Sequence, residues 1–124
     1  MIKQLCIILL SVLFVWGNAL AVDIGVAWVG KAGMPIRVMN GFTKGIREKA
    51  PEVNFNVDVH KELSSMQELE AVVAGFEKEK NGMVILRSNG AQWLAERKTS
   101  IPTFIGGCNN PSQLGTVKNL SRPG

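Results

Sequence analysis

His60 is the chain's single histidine and Cys6 and Cys108 its only cysteines, so few side chains could serve as base, nucleophile or soft metal ligand. His60 closes a run of alternating apolar and polar residues, where a surface imidazole is the ordinary outcome and a catalytic base or ligand the rarer one. Cys108 lies between Gly107 and Asn109. A thiol nucleophile needs a base or cation to form its thiolate, and no neighbour in the sequence supplies one. Nowhere are His, Cys and carboxylates grouped as a metal centre requires. Gly30-Lys31-Ala32-Gly33 lacks the spacing of a dinucleotide loop, and no P-loop lysine motif is present. A phosphoacceptor receiver would carry carboxylates after its first and third strands, where this chain has Trp28 and Arg87. These residues therefore make a poor case for catalysis and imply no cofactor and no metal.

The candidates for binding are polar and aromatic groups at strand ends. Ser88 and Asn89 stand where an apolar run gives way to a helical pattern, offering hydroxyl, amide and backbone donors to an anionic group. They could equally serve only as a helix cap. Trp28 offers an apolar or stacking wall, and Asn109 and Asn110 follow a later apolar run. These five residues form the candidate ligand site.

Two apolar periods alternate along the chain and supply the elements that must position them. Ile24–Val29 reads as a strand ended by Gly30 and Gly33. Val38, Met39, Phe42 and Ile46 then share one helical face from Pro35 to about Ala50. Val53, Phe55, Val57 and Val59 alternate with Asn54, Asn56, Asp58 and His60, which predicts a strand near a sheet edge. Ser65 and Glu68 have the spacing of a capping box, and Met66, Leu69, Val72, Val73 and Phe76 form the inward stripe of a helix ending near Asn81 and Gly82. Met83–Leu86 is continuously apolar, as a central parallel strand should be. A short helix over Ala91–Lys98, a strand over Ile101–Ile105 and a helix from Pro111 to about Leu120 complete a βαβαβαβα order. Such alternation implies an α/β Rossmann-like parallel sheet with helices on both faces, and the strand polarities suggest the order 2-1-3-4. Ligands of open α/β sheets bind outside the carboxyl ends of the strands, where the winding reverses. That rule gathers the loops after the first, third and fourth strands at one edge.

The 124 residues suffice for one domain, since domains run to roughly 100–200 residues. With 46% hydrophobic and 19% charged residues the chain has the composition of a folded protein, not a disordered one. Its net charge of +4 is scattered, with no interleaving of basic and aromatic residues of the kind nucleic acid demands. Lys3 precedes an apolar stretch from Leu5 to Trp16, and Ala19 and Ala21 complete the pattern of a secretory signal peptide over residues 1–21, cleaved before Val22. The stretch is shorter than the roughly 20 apolar residues of a membrane span. Cys6 leaves with the signal, and Cys108 then has no disulfide partner within the chain.

With these residues in view, the chain resembles the ABC transporter substrate-binding proteins of the type I periplasmic binding protein fold. The resemblance rests on Ile24-Gly25-Val26, on Met39-Asn40-Gly41-Phe42-Thr43-Lys44-Gly45-Ile46, on Ile101-Pro102-Thr103-Phe104 followed by Asn110-Pro111, and on Leu120-Ser121-Arg122-Pro123-Gly124. The subgroup it looks most like is associated with tryptophan and other aromatic amino acids. Asn110 stands where that family usually has Asp. The resemblance implies that residues 22–124 are a partial amino-terminal lobe, about the first third of a family member, of a protein whose ligand is closed between two lobes. It further implies a periplasmic or other extracytoplasmic location, a small organic solute such as an amino acid, delivery to an ABC permease in the inner membrane, and a truncated reading frame. The readings set against it are a small secreted α/β enzyme with Cys108 as nucleophile, and a secreted interaction domain.

Overall fold

A computed structural model describes residues 20–119 and Ser121. Most of the expected signal peptide, and Leu120 and residues 122–124 of the closing motif, lie outside the described residues.

Four parallel strands form one sheet: β1 (Val22–Val29), β2 (Phe55–Leu63), β3 (Gly82–Leu86) and β4 (Thr103–Gly106), in the order β2-β1-β3-β4. Three helices connect them: α1 (Gly33–Lys49), α2 (Met66–Glu79) and α3 (Ser88–Ala95). Right-handed crossovers fix which helix covers which face. The chain steps one way from β1 to β2 and the other way from β2 to β3 and from β3 to β4, so α1 covers one face while α2 and α3 cover the other. Alternation along β1 serves both layers. Ile24, Val26 and Trp28 pack with Val84 and Leu86 against Val38, Met39 and Phe42 of α1. Ala27 and Val29 pack with Met83 and Ile85 against Leu69, Val73 and Phe76 of α2 and Leu94 of α3.

β2 is an edge strand, as its half-polar alternation predicts. It runs on to Leu63, past the end expected at His60, because it carries a bulge. Ala27 pairs with His60 but Val29 with Leu63, and Glu62 has φ 56°. The extra residue reverses the side-chain parity. Val57 and Val59 accordingly face α1, whereas Leu63 faces α2.

β4 forms the other edge and leaves Phe104 64% exposed. At α2 the Ser65 hydroxyl caps the Glu68 N–H at 3.1 Å, while the Glu68 carboxylate accepts from the Ser64 N–H at 2.7 Å and the Ser64 hydroxyl at 2.6 Å. The reciprocal arm of the expected capping box is thus made one residue earlier in the chain.

The helix expected from Pro111 to Leu120 is not formed. A single turn follows Pro111 and closes as a Schellman motif: Gly115, at φ 75°, donates to the Ser112 carbonyl and Thr116 to the Pro111 carbonyl, both at 3.2 Å. A glycine that readily adopts left-handed backbone stops the helix that Pro111 starts. The Thr116 hydroxyl then ties the turn to α3 through the Ala91 carbonyl at 2.7 Å.

Candidate functional site

The carboxyl ends of β1, β3 and β4 meet at one edge of the sheet, and backbone bonds hold the loops that leave them. Gly30 turns the chain away from β1 at φ 81°, its N–H donating to the Leu63 carbonyl at 2.9 Å. The Arg87 N–H donates to the Gly106 carbonyl at 3.0 Å, extending the β3–β4 pairing one residue beyond β3. Gly107, at φ 58°, runs against α1 so closely that a Cβ there would overlap the Met34 sulfur. All three exits from the sheet are therefore fixed before any ligand is considered.

The five predicted site residues take different places around this edge. Ser88 and Asn109 are brought together across 21 residues of sequence, the Asn109 N–H donating to the Ser88 hydroxyl oxygen at 3.0 Å. Asn89 uses its side-chain oxygen locally, accepting from the Gly90 N–H at 2.9 Å inside the first turn of α3. Asn110, at φ 48°, accepts from the Ser112 hydroxyl at 3.1 Å and the Gln113 N–H at 3.4 Å, and so caps the turn that follows. Trp28 is fully buried among the residues facing α1, with no acceptor for its Nε1–H among the described residues. Its parity along β1, shared with Val26, sends it into the core and not over the strand end.

Arg87, in the same loop as Ser88 but not among the five predicted residues, also reaches this edge. It is half-buried and adopts φ 75° and ψ 158°, a backbone region that is almost glycine's alone and costs another residue on the order of 1–3 kcal/mol. The Ala91 N–H bonds to its carbonyl at 3.1 Å, so Arg87 opens α3 three residues earlier than expected. Its guanidinium Nη1–H crosses to β1 and donates to the Val29 carbonyl at 2.6 Å. The signal was present in the sequence: a cation placed directly after the buried run Met83–Leu86 must emerge at the carboxyl end of the central strands.

His60 lies away from this edge. Its ring meets Phe76 edge-on at 5.3 Å between centroids, and Nε2 stands 3.4 Å from the Asp58 carboxylate, whose other oxygen takes Lys80 at 3.2 Å. Burial pushes the Asp58 carboxyl up, but the Lys80 bond and the charges of His60 and Lys80 outweigh it and hold the group below the ordinary aspartate range. Cys108 is half-buried in the loop after β4 and has no disulfide partner among the described residues. The described residues contain no cluster of three metal-ligating side chains, and no described helix is long and apolar enough to cross a membrane.

Two hollows flank β4, away from the carboxyl edge. One is lined by Leu94, Arg97, Phe104, Ile105 and Val117, the other by Phe42, Ile46, Met83, Val84 and Phe104. Loops along one edge of a single sheet are open to solvent on their far side and enclose no volume by themselves.

No protein-family model matches the chain, and no curated protein does so either. Two solved structures share its fold. One is the ABC domain in complex with L-Trp from Streptococcus pneumoniae, with a TM-score of 0.72 and 18% identity over 85% of this chain and 36% of that one. The other is the ligand-free, open structure of CD0873, a substrate-binding protein with adhesive properties from Clostridium difficile, with a TM-score of 0.71 and 20% identity over 84% of this chain and 36% of that one. The chain spans little more than a third of the length of either. Its four-stranded sheet is the α/β arrangement found in part of each of these two proteins.

Proposed function

We propose that this chain forms one wall of an extracytoplasmic solute-binding protein that holds a small organic solute, such as an amino acid, and presents it to an ABC permease in the inner membrane. The observation that carries the reading is the coincidence of two things: a fold shared with substrate-binding proteins, one of them holding L-Trp, and an edge where the β1, β3 and β4 exits converge at the reversal of winding. Binding at such an edge involves no bond-making, in keeping with neighbours that are binding proteins. The Ser88–Asn109 pair and the Arg87 guanidinium supply hydrogen-bonding groups, and Met34, partly exposed in the first turn of α1, supplies apolar surface beside Gly107.

One open wall should bind weakly, which selects the assay. Titration of the 15N-labelled chain with L-tryptophan and a panel of other amino acids into the millimolar range should shift the amide signals of Gly30, Arg87, Ser88 and Asn109 ahead of those in the later turns of α1 or in β2. A folded chain whose loop signals stay fixed throughout would sink the reading. Export is tested separately, by mass spectrometry of the secreted form, which should begin at Val22.

A further inference from the structure

Gly30 and Arg87 make a matched pair at the reversal of winding between β1 and β3. Gly30 has φ 81°, and a Cβ on it would stand 2.6 Å from Arg87 Nη1, so the missing side chain is what admits the guanidinium. Arg87 in turn adopts the glycine-like backbone that sends its side chain across to the Val29 carbonyl, 58 residues earlier in sequence. The result is a cation strapped over the end of β1. A guanidinium carries five N–H donors, and the bond to Val29 is the one that the described hydrogen bonds assign to it. No carboxylate neutralises it among the described residues, whose ion pairs are Lys44–Glu48, His60–Asp58, Lys80–Asp58 and Arg97–Glu70. The segments Gly30–Gly33, Arg87–Gly90 and Gly107–Asn110 contain no Asp or Glu. At the neighbouring end of β2, the Glu68 carboxylate is already taken by Ser64, and Glu62 sits in the bulge without an ion pair to Arg87.

We infer that Arg87 sets the charge of the solute: its remaining guanidinium donors receive a carboxylate at the junction of β1 and β3, and the edge therefore selects acids over their neutral amides. This inference rests on the solute-binding reading and narrows it. Arg suits the role because its planar donors match a carboxylate two at a time, and the strap to Val29 holds the plane in place before the solute arrives.

The test compares acids with their amides on the 15N-labelled chain, using propionate against propionamide and L-tryptophan against L-tryptophanamide. Each acid should shift the Gly30 amide and the Arg87 side-chain Nε–H, with its amide at least about tenfold weaker, as expected for losing hydrogen bonds to a charged group. Arg87→Gly suits this backbone and should keep the melting temperature while abolishing the acid preference. Arg87→Gln, which retains a donor for Val29, should do the same. Equal binding of acids and amides, or an acid preference that survives both substitutions, overturns the role of Arg87 and leaves solute binding standing. A lowered melting temperature with equal weakening for acids and amides reduces Arg87 to a structural strap and also overturns the inference. If no probe moves the loop signals of the folded chain, the solute-binding reading falls as well.

Discussion

Gly25→Ala puts one methyl group where β1 has no room for it. Gly25 lies in a central strand, paired with Asp58 on one side and Met83 on the other, so its backbone cannot retreat without breaking two ladders. A Cβ at this position would stand 2.6 Å from three carbons of the Phe76 ring, nearly 1 Å inside ordinary contact. The ring is 2% exposed, with His60 against it, so it can withdraw only by disturbing the layer between the sheet and α2. Overpacking of this kind costs about 1–3 kcal/mol. Stiffening the unfolded chain returns about 0.4–1 kcal/mol, leaving a net loss of about 1–2 kcal/mol. For a domain of this size that is a fall of roughly 5–15 °C in melting temperature. Phe76→Leu should also destabilise, by opening space, but it removes the ring that the alanine strikes. The double variant should therefore be more stable than the sum of the two losses by about 1 kcal/mol. Urea titrations of the four proteins measure this directly. A Gly25→Ala variant as stable as the parent, or strictly additive losses, would refute the claim that close approach of Phe76 keeps this position glycine.

Ser65→Ala removes the hydroxyl that caps the Glu68 N–H and should cost about 1 kcal/mol by urea midpoint, with Ser65→Asp restoring most of it. The carboxyls of Asp58 and Glu68 are both held below their ordinary range, the first by Lys80 and His60 against the opposing effect of burial, the second by the Ser64 hydroxyl and amide. Each therefore stabilises the fold above its unfolded pKa and loses that contribution as the pH falls through the carboxylate range, around 4 and below. Unfolding midpoints should drop between pH 6 and pH 3, and less steeply in Asp58→Asn. The open edge of β4, with no charge between Ile101 and Gly107 and with Phe104 exposed, should pair with other copies; size-exclusion chromatography should show self-association that Phe104→Lys reduces.

Much of this molecule is written locally in its sequence. The two-residue and 3.6-residue apolar periods give the strands and three of the helices. The half-polar run Phe55–His60 against the wholly apolar Met83–Leu86 is enough to place β2 at an edge and β3 inside, because burial on one or two faces acts residue by residue. The convergence of three loops at one edge follows from that strand order. What the sequence left undecided was settled by contacts between distant segments. The bulge at Glu62 appears only when β2 is paired with β1, since it is a mismatch between two strands and not a property of either. The turn after Pro111 stays one turn long because Gly115 reverses its backbone and Thr116 is tied to α3, which outweighs a local helix start. At the candidate site, Ser88 meets Asn109 across 21 residues and Arg87 reaches Val29 across 58, whereas Trp28 turns into the core. Residue types foretold which loops would meet. Only folding decided which side chains point out of them, because that direction depends on backbone conformations, such as the positive φ of Arg87, that tertiary contacts must hold in place.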